Sequence, residues 1–93
     1  MEDQKKDTLL VENLNLISKN YLYQDSEKGI EFAKKGLALS KELNWDNGIG
    51  LSHLNIAIHE VSLGKYLESK KNFDIAKKIF IKNKDNFFIY GFK

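Results

Sequence analysis

Gly29, Ala33 and Gly36 fall at spacings of four and three, the step of one helix face, and the same spacing returns 40 positions on as Ser69, Phe73 and Ala76. A pattern that repeats at such an interval marks a stack of like units. Each unit is a helix pair too small to bury its own apolar face, and stacking supplies the core. In a chain of 93 residues there is room for two such pairs and little else. The recurrence therefore predicts an all-α solenoid, with the buried fraction of the surface modest and most apolar residues needed inside.

The rest of the composition agrees with helices. Proline is absent, 42% of residues are hydrophobic and 30% charged, a balance unlike that of disordered or collagen-like chains. Every one of the 15 basic residues is lysine and the net charge is only +2. Lysine lacks the bidentate fork that reads phosphates and bases, which argues against nucleic acid as a partner. With no cysteine, neither a disulfide framework nor a cysteine zinc site can form. Residues 1–7 carry no apolar signal core and no later run reaches membrane-spanning length. The expectation is a soluble, cytoplasmic protein with no membrane insertion and no cofactor.

In chain order, residues 1–8 read as a flexible lead-in to a single domain over residues 9–93. Leu10, Leu14, Ile17 and Tyr21 mark the inner face of a first helix. Asp25 or Ser26 can cap a second, with Glu27 in the first turn where the helix dipole favours it. Ile30, Ala33, Leu37 and Ser40 line that helix, with Gly29 and Gly36 alongside. A glycine inside a helix costs about 1 kcal/mol relative to alanine, so two of them predict a close approach by another helix. The stretch 44–50 separates the pairs. A third helix follows from about Gly48 to Leu63, ended by Gly64, and a fourth runs to about Lys82 with Tyr66, Ser69, Phe73, Ala76, Ile79 and Phe80 inside. This divides the domain into repeat 1 (about 9–44), repeat 2 (about 47–83) and an incomplete third helix (86–93).

Leu14, Ile17 with Ser18, Tyr21, then Gly29 and Gly36 in the first pair, and Ile56 with Ala57, Gly64, Tyr66, Ser69, Phe73 and Ala76 in the second, resemble the tetratricopeptide repeat family over roughly residues 9–83. The period is 40 where that family usually has 34, similar to the longer variety of bacterial regulatory and signalling proteins. His53 and Glu60 stand where the family prefers large apolar residues, and Ala33 where it prefers an aromatic. HEAT-like pairs share the longer period but usually carry a proline. The resemblance implies a right-handed α-α superhelix of two antiparallel helix pairs plus the start of a third. It further implies a concave groove for a peptide or partner helix, lined by Glu12, Asn15, Lys19, Leu22 and Tyr23 in the first pair and by Leu51, Leu54, Ile58, Val61 and Ser62 in the second. The alternative for that apolar second set is burial under neighbouring helices or under residues 87–92.

Catalytic signals are weak. His59–Glu60 begins a zinc-protease-like pair, but the second histidine expected at Leu63 is missing. His53 and Glu60 share a helix face, where a structural polar contact is the ordinary reading and an acid/base pair the sharper one. Gly48 and Gly50 lack the strand and lysine of a phosphate loop. The expectation is a protein-binding module and not an enzyme. Lys70, Lys71, Lys77 and Lys78 form a basic stripe on the outer face of the fourth helix, whose ordinary meaning is a solvated convex surface and whose sharper one is contact with an acidic partner, a membrane surface or RNA, though no aromatic platform accompanies it. The alternative function is self-association into a homodimer through Phe87, Phe88, Tyr90 and Phe92 at the open C-terminal end.

Overall fold

The computed structural model describes residues 2–83, with side chains from residue 7. Four α-helices follow one another: α1 (Glu2–Asn20), α2 (Ser26–Glu42), α3 (Asp46–Ser62) and α4 (Tyr66–Lys82). No strand occurs among the described residues. α2 and α4 are each 17 residues long, and their starts and ends are both 40 positions apart, so the repeat legible in the sequence is a repeat of elements. α1 is helical from Glu2, earlier than apolar periodicity can register, because its first turns carry no apolar pattern to count. Phe87, Phe88, Tyr90, Phe92 and the start of a third pair over 86–93 lie outside the described residues.

Three short turns reverse the chain, and each uses one residue in the left-handed region: Tyr23 (φ 69°), Asn44 (φ 52°) and Gly64 (φ 77°). The last two close their helices alike. Lys65 N–H donates to Glu60 O at 2.8 Å and Gly64 N–H to Val61 O at 3.0 Å; Trp45 N–H donates to Ser40 O at 2.9 Å and Asn44 N–H to Lys41 O at 3.1 Å. These bonds satisfy carbonyls that the helix end leaves without partners. At the start of α2, Asp25 is the cap: its Oδ1 accepts from Lys28 N–H at 3.1 Å.

Successive helices run antiparallel. Ser18 meets Gly29 and Asn15 stands against Gly36; His59 covers Gly29 and Ser40 stands against Gly48; Ser69 bonds to Ala57 and Phe80 packs on Gly50. α1 and α3 also touch, in parallel, through Asn15–Ser52, Asn15–Asn55 and Ser18–His59. Helices α1 and α3 thus form one layer and α2 and α4 the other. The close approach predicted for the two glycines is present. A methyl on Gly29 would lie 2.2 Å from His59 Nε2, and one on Gly36 2.9 Å from Asn15 Nδ2.

The core differs from the expected one in a specific way. Buried apolar residues are Val11, Ala33, Ile56, Ala57, Ala76 and Phe80, while Asn15, Ser18, Ser26, Ser40, Ser52, Asn55, His59 and Ser69 are buried polar ones. Every buried side-chain nitrogen and oxygen among the described residues has a hydrogen-bond partner, which is what makes such burial tolerable. On α1 the buried stripe is Val11, Asn15 and Ser18. The expected stripe is displaced: Leu10 and Ile17 are 48% and 39% exposed, Leu14 is half-buried, and Tyr21 is half-buried against Phe32, with ring centroids 5.9 Å apart. Counting apolar residues picked the neighbouring face because the inward one is partly Asn and Ser. On α4, Ser69, Ala76 and Phe80 are buried, but Tyr66 is 67% exposed and Phe73 reaches 36%.

Candidate functional site

The parallel pair α1 and α3 leaves a groove between them of about 700 Å³. Glu12, Asn15 and Lys19 line it from α1, and Leu51, Leu54 and Ile58 from α3. A smaller hollow of about 190 Å³ continues it towards the first turn, lined by Leu22, Tyr23, Ile58, Val61 and Ser62. The ten positions named from the sequence therefore lie along one continuous surface, joined at Ile58. Phe73 of α4 borders both hollows. Leu9, Asn13, Leu16 and Asn55 also line the groove and were not named from the sequence. Leu9, Asn13 and Leu16 carry the helical spacing of four and three one position away from the named stripe, which was the available signal.

The two walls differ chemically. α3 presents Leu51, Leu54, Ile58 and Val61 along one helical face, and α1 presents Leu9 and Leu16 beside Glu12, Asn13 and Lys19. Beneath them the floor is tied by directional bonds. Asn55 Nδ2 donates to Asn15 Oδ1 at 2.9 Å, while Asn15 Nδ2 donates to Ser52 Oγ at 3.0 Å and to Val11 O at 3.1 Å. Asn15 is only 2% exposed, so its role is to hold the floor while neighbouring side chains form the accessible walls. An apolar wall facing one that mixes leucines with charged and amide side chains suits an amphipathic segment laid along the groove.

The histidines are held elsewhere. His59, 1% exposed, stacks over Gly29 with Nε2 2.7 Å from Ser18 O and Nδ1 3.0 Å from Ser26 Oγ. A carbonyl only accepts, so Nε2 carries a proton, and in the neutral ring Nδ1 takes the hydroxyl hydrogen of Ser26. Ser18 Oγ in turn donates to Gly29 O at 2.6 Å. His53 and Glu60 do not pair directly: Asn72 of α4 stands between them, with Oδ1 2.8 Å from His53 Nδ1 and Nδ2 donating to Glu60 Oε1 at 2.7 Å. Two polar residues of α3 are thereby fastened to α4. Among the described residues no three of His, Cys, Asp or Glu stand together as metal ligands would, and no helix is long and apolar enough to cross a membrane.

No protein-family profile matches the chain, and no solved structure matches it. Over 61 residues, 66% of its length, it is 36% identical to response regulator aspartate phosphatase I of Bacillus subtilis (strain 168). The matched stretch spans 16% of that protein. The chain is thus an all-α helical repeat with partial similarity to a response regulator aspartate phosphatase.

Proposed function

We propose that this chain is a protein-interaction module of tetratricopeptide type, which holds an amphipathic peptide or helix of a signalling partner in the groove between α1 and α3. The observation that carries the reading is the groove itself. A half-buried apolar face of α3 opposes a mixed face of α1, where Leu9 and Leu16 stand beside Glu12, Asn13 and Lys19, across a floor fixed by the Asn15–Asn55 bond. The similarity to a response regulator aspartate phosphatase supports a signalling context, and the family's small and aromatic positions at Gly29, Gly36, Tyr66 and Phe73 support the repeat type. Binding is favoured over catalysis because both nitrogens of His59 are occupied in the core and His53 is engaged by Asn72.

The test is selection of a phage-displayed random peptide library on the whole chain, followed by binding to Ile58→Ala and Val61→Asp. Val61 is 44% exposed, so the charge enters the groove without entering the core. Amphipathic peptides that lose affinity for both variants support the reading. Peptides that bind wild type and variants alike would refute it.

Self-association is the second reading, favoured by Leu9 and Leu16, 56% and 57% exposed at the groove, and by Ile17, 39% exposed on the same helix. Light scattering over a wide concentration range tests it. A mass that stays at one chain throughout removes it.

A further inference from the structure

The repeat supplies its own control for what a convex surface of this fold looks like. α2 and α4 have equal length and boundaries 40 positions apart, so residues with that separation occupy equivalent places. The outward positions of α2 hold Glu27, Glu31, Lys35 and Lys41, the mixed charges of an ordinary solvated face. At the same positions α4 holds Leu67, Lys71, Ile75 and Ile81. Ala38 is matched by Lys78 and Glu42 by Lys82, while Lys28 is matched by Glu68 and Lys34 by Asp74, two exchanges that replace a lysine with an acid.

At these exposed positions the net charge is +1 in both copies, and what changes is that three charged residues give way to aliphatic ones; Lys70 and Lys77, exposed where Ile30 and Leu37 of α2 are half-buried, raise the whole helix from +1 to +3. Leu67 is 77% exposed, Ile75 40% and Ile81 50%, and none of them lines the groove. The lysines between them are exposed, and the recorded ion pair on this helix, Lys82 to Asp46 at 3.7 Å, sits at its C-terminal end. Large aliphatics kept in water by the same helix that gains positive charge point to an occupant that is both apolar and anionic.

We propose that the convex face of α4 docks on the surface of an anionic lipid bilayer. A single convex ridge fits a plane better than it fits a pocket. At a membrane the lysine stems lie along the apolar boundary while their ammonium groups reach the headgroups. Leu67, Ile75 and Ile81 then enter the boundary between headgroups and acyl chains, and Lys71 and Lys78 meet the anionic lipids. The groove between α1 and α3 is built on the other layer, so both surfaces can be occupied at once.

The experiment is co-sedimentation of the whole chain with phosphatidylcholine vesicles, with and without phosphatidylserine, at low and physiological salt. The expected result is binding to the phosphatidylserine vesicles that weakens with salt. Lys71→Gln with Lys78→Gln should weaken it roughly thirtyfold. Leu67→Ser with Ile81→Ser should weaken it on the order of tenfold while leaving the charge unchanged. Lys35→Gln with Lys41→Gln on α2 should leave it as it was. All these side chains are exposed, and circular dichroism confirms that each variant is folded. Absence of binding to anionic vesicles at low salt overturns the proposal. So does equal sensitivity to the α2 and α4 lysines, which would mean attraction by net charge alone. Failure on lipid together with binding of polyglutamate through Lys71 and Lys78 would give the face to an acidic protein instead.

Discussion

Replacing Gly29 by alanine should destabilise the chain by about 2–4 kcal/mol, although alanine is the better helix former. The helix itself would gain about 1 kcal/mol from the exchange. Against this, the new methyl would sit 2.2 Å from His59 Nε2, 2.3 Å from Cε1 and 2.8 Å from Cδ2, all closer than carbon atoms tolerate. The ring cannot yield freely, because it is bonded on one side to Ser18 O and on the other to Ser26 Oγ. Moving it both overpacks the α2–α3 contact, at about 1–3 kcal/mol, and breaks a buried hydrogen bond, at about 1–3 kcal/mol for each group left unsatisfied, which less the propensity gain centres on about 2–4 kcal/mol. These costs exceed the propensity gain. Urea unfolding followed by far-ultraviolet circular dichroism measures the difference. Gly29→Ala combined with His59→Ala should cost less than the two single changes together, since the methyl then occupies space the ring has left. A neutral or stabilising Gly29→Ala would refute the reasoning, because it would mean the imidazole does not lie on this glycine.

Three further outcomes follow from the same contacts. Tyr23→Gly should raise stability by about 0.5–1 kcal/mol in the same unfolding assay, because tyrosine at φ 69° is strained and its side chain, 89% exposed, has little packing to lose. That variant should also bind selected peptides more weakly, since Tyr23 borders the smaller hollow. Asn15→Ala and Asn55→Ala should each cost about 1–3 kcal/mol, with a coupling energy of about 0.5–3 kcal/mol in the double-mutant cycle. Asn72→Ala should cost about 1 kcal/mol and increase hydrogen exchange at the α3–α4 contact, because it removes the link to both His53 and Glu60.

The helix pairs were legible in the sequence because their punctuation is local. Gly64 ends α3, Asp25 caps α2, and Gly29 with Gly36 marks a close helix approach; each follows from backbone sterics or capping and needs no knowledge of the neighbours. The inward face of α1 was not legible for the opposite reason. Asn15 and Ser18 are buried only because Asn55, Ser52 and the Gly29 carbonyl stand across from them, and no periodicity of apolar residues records a partner elsewhere in the chain. The groove positions came from resemblance to a repeat family, and the apolar step Leu51, Leu54, Ile58 was visible by itself. Its place on the same helix face as Ser69 and Ala76 predicts a core position for Phe73. Its partial exposure depends on where α4 meets the groove, a tertiary fact.

The hydrogen-bonded interior bears on how the protein responds to temperature. Among the described residues eight buried side chains are polar and six are apolar, and three of the apolar ones, Ala33, Ala57 and Ala76, are no larger than a methyl. Unfolding therefore hydrates serine, asparagine and imidazole groups along with hydrocarbon. Apolar exposure raises the heat capacity and polar exposure lowers it, so the increment per residue should fall below the usual ~12–15 cal/mol/K of globular proteins. A small increment flattens the stability curve. Differential scanning calorimetry should find a broad curve whose maximum is shallow, so that the groove keeps one shape across a wide span of temperature.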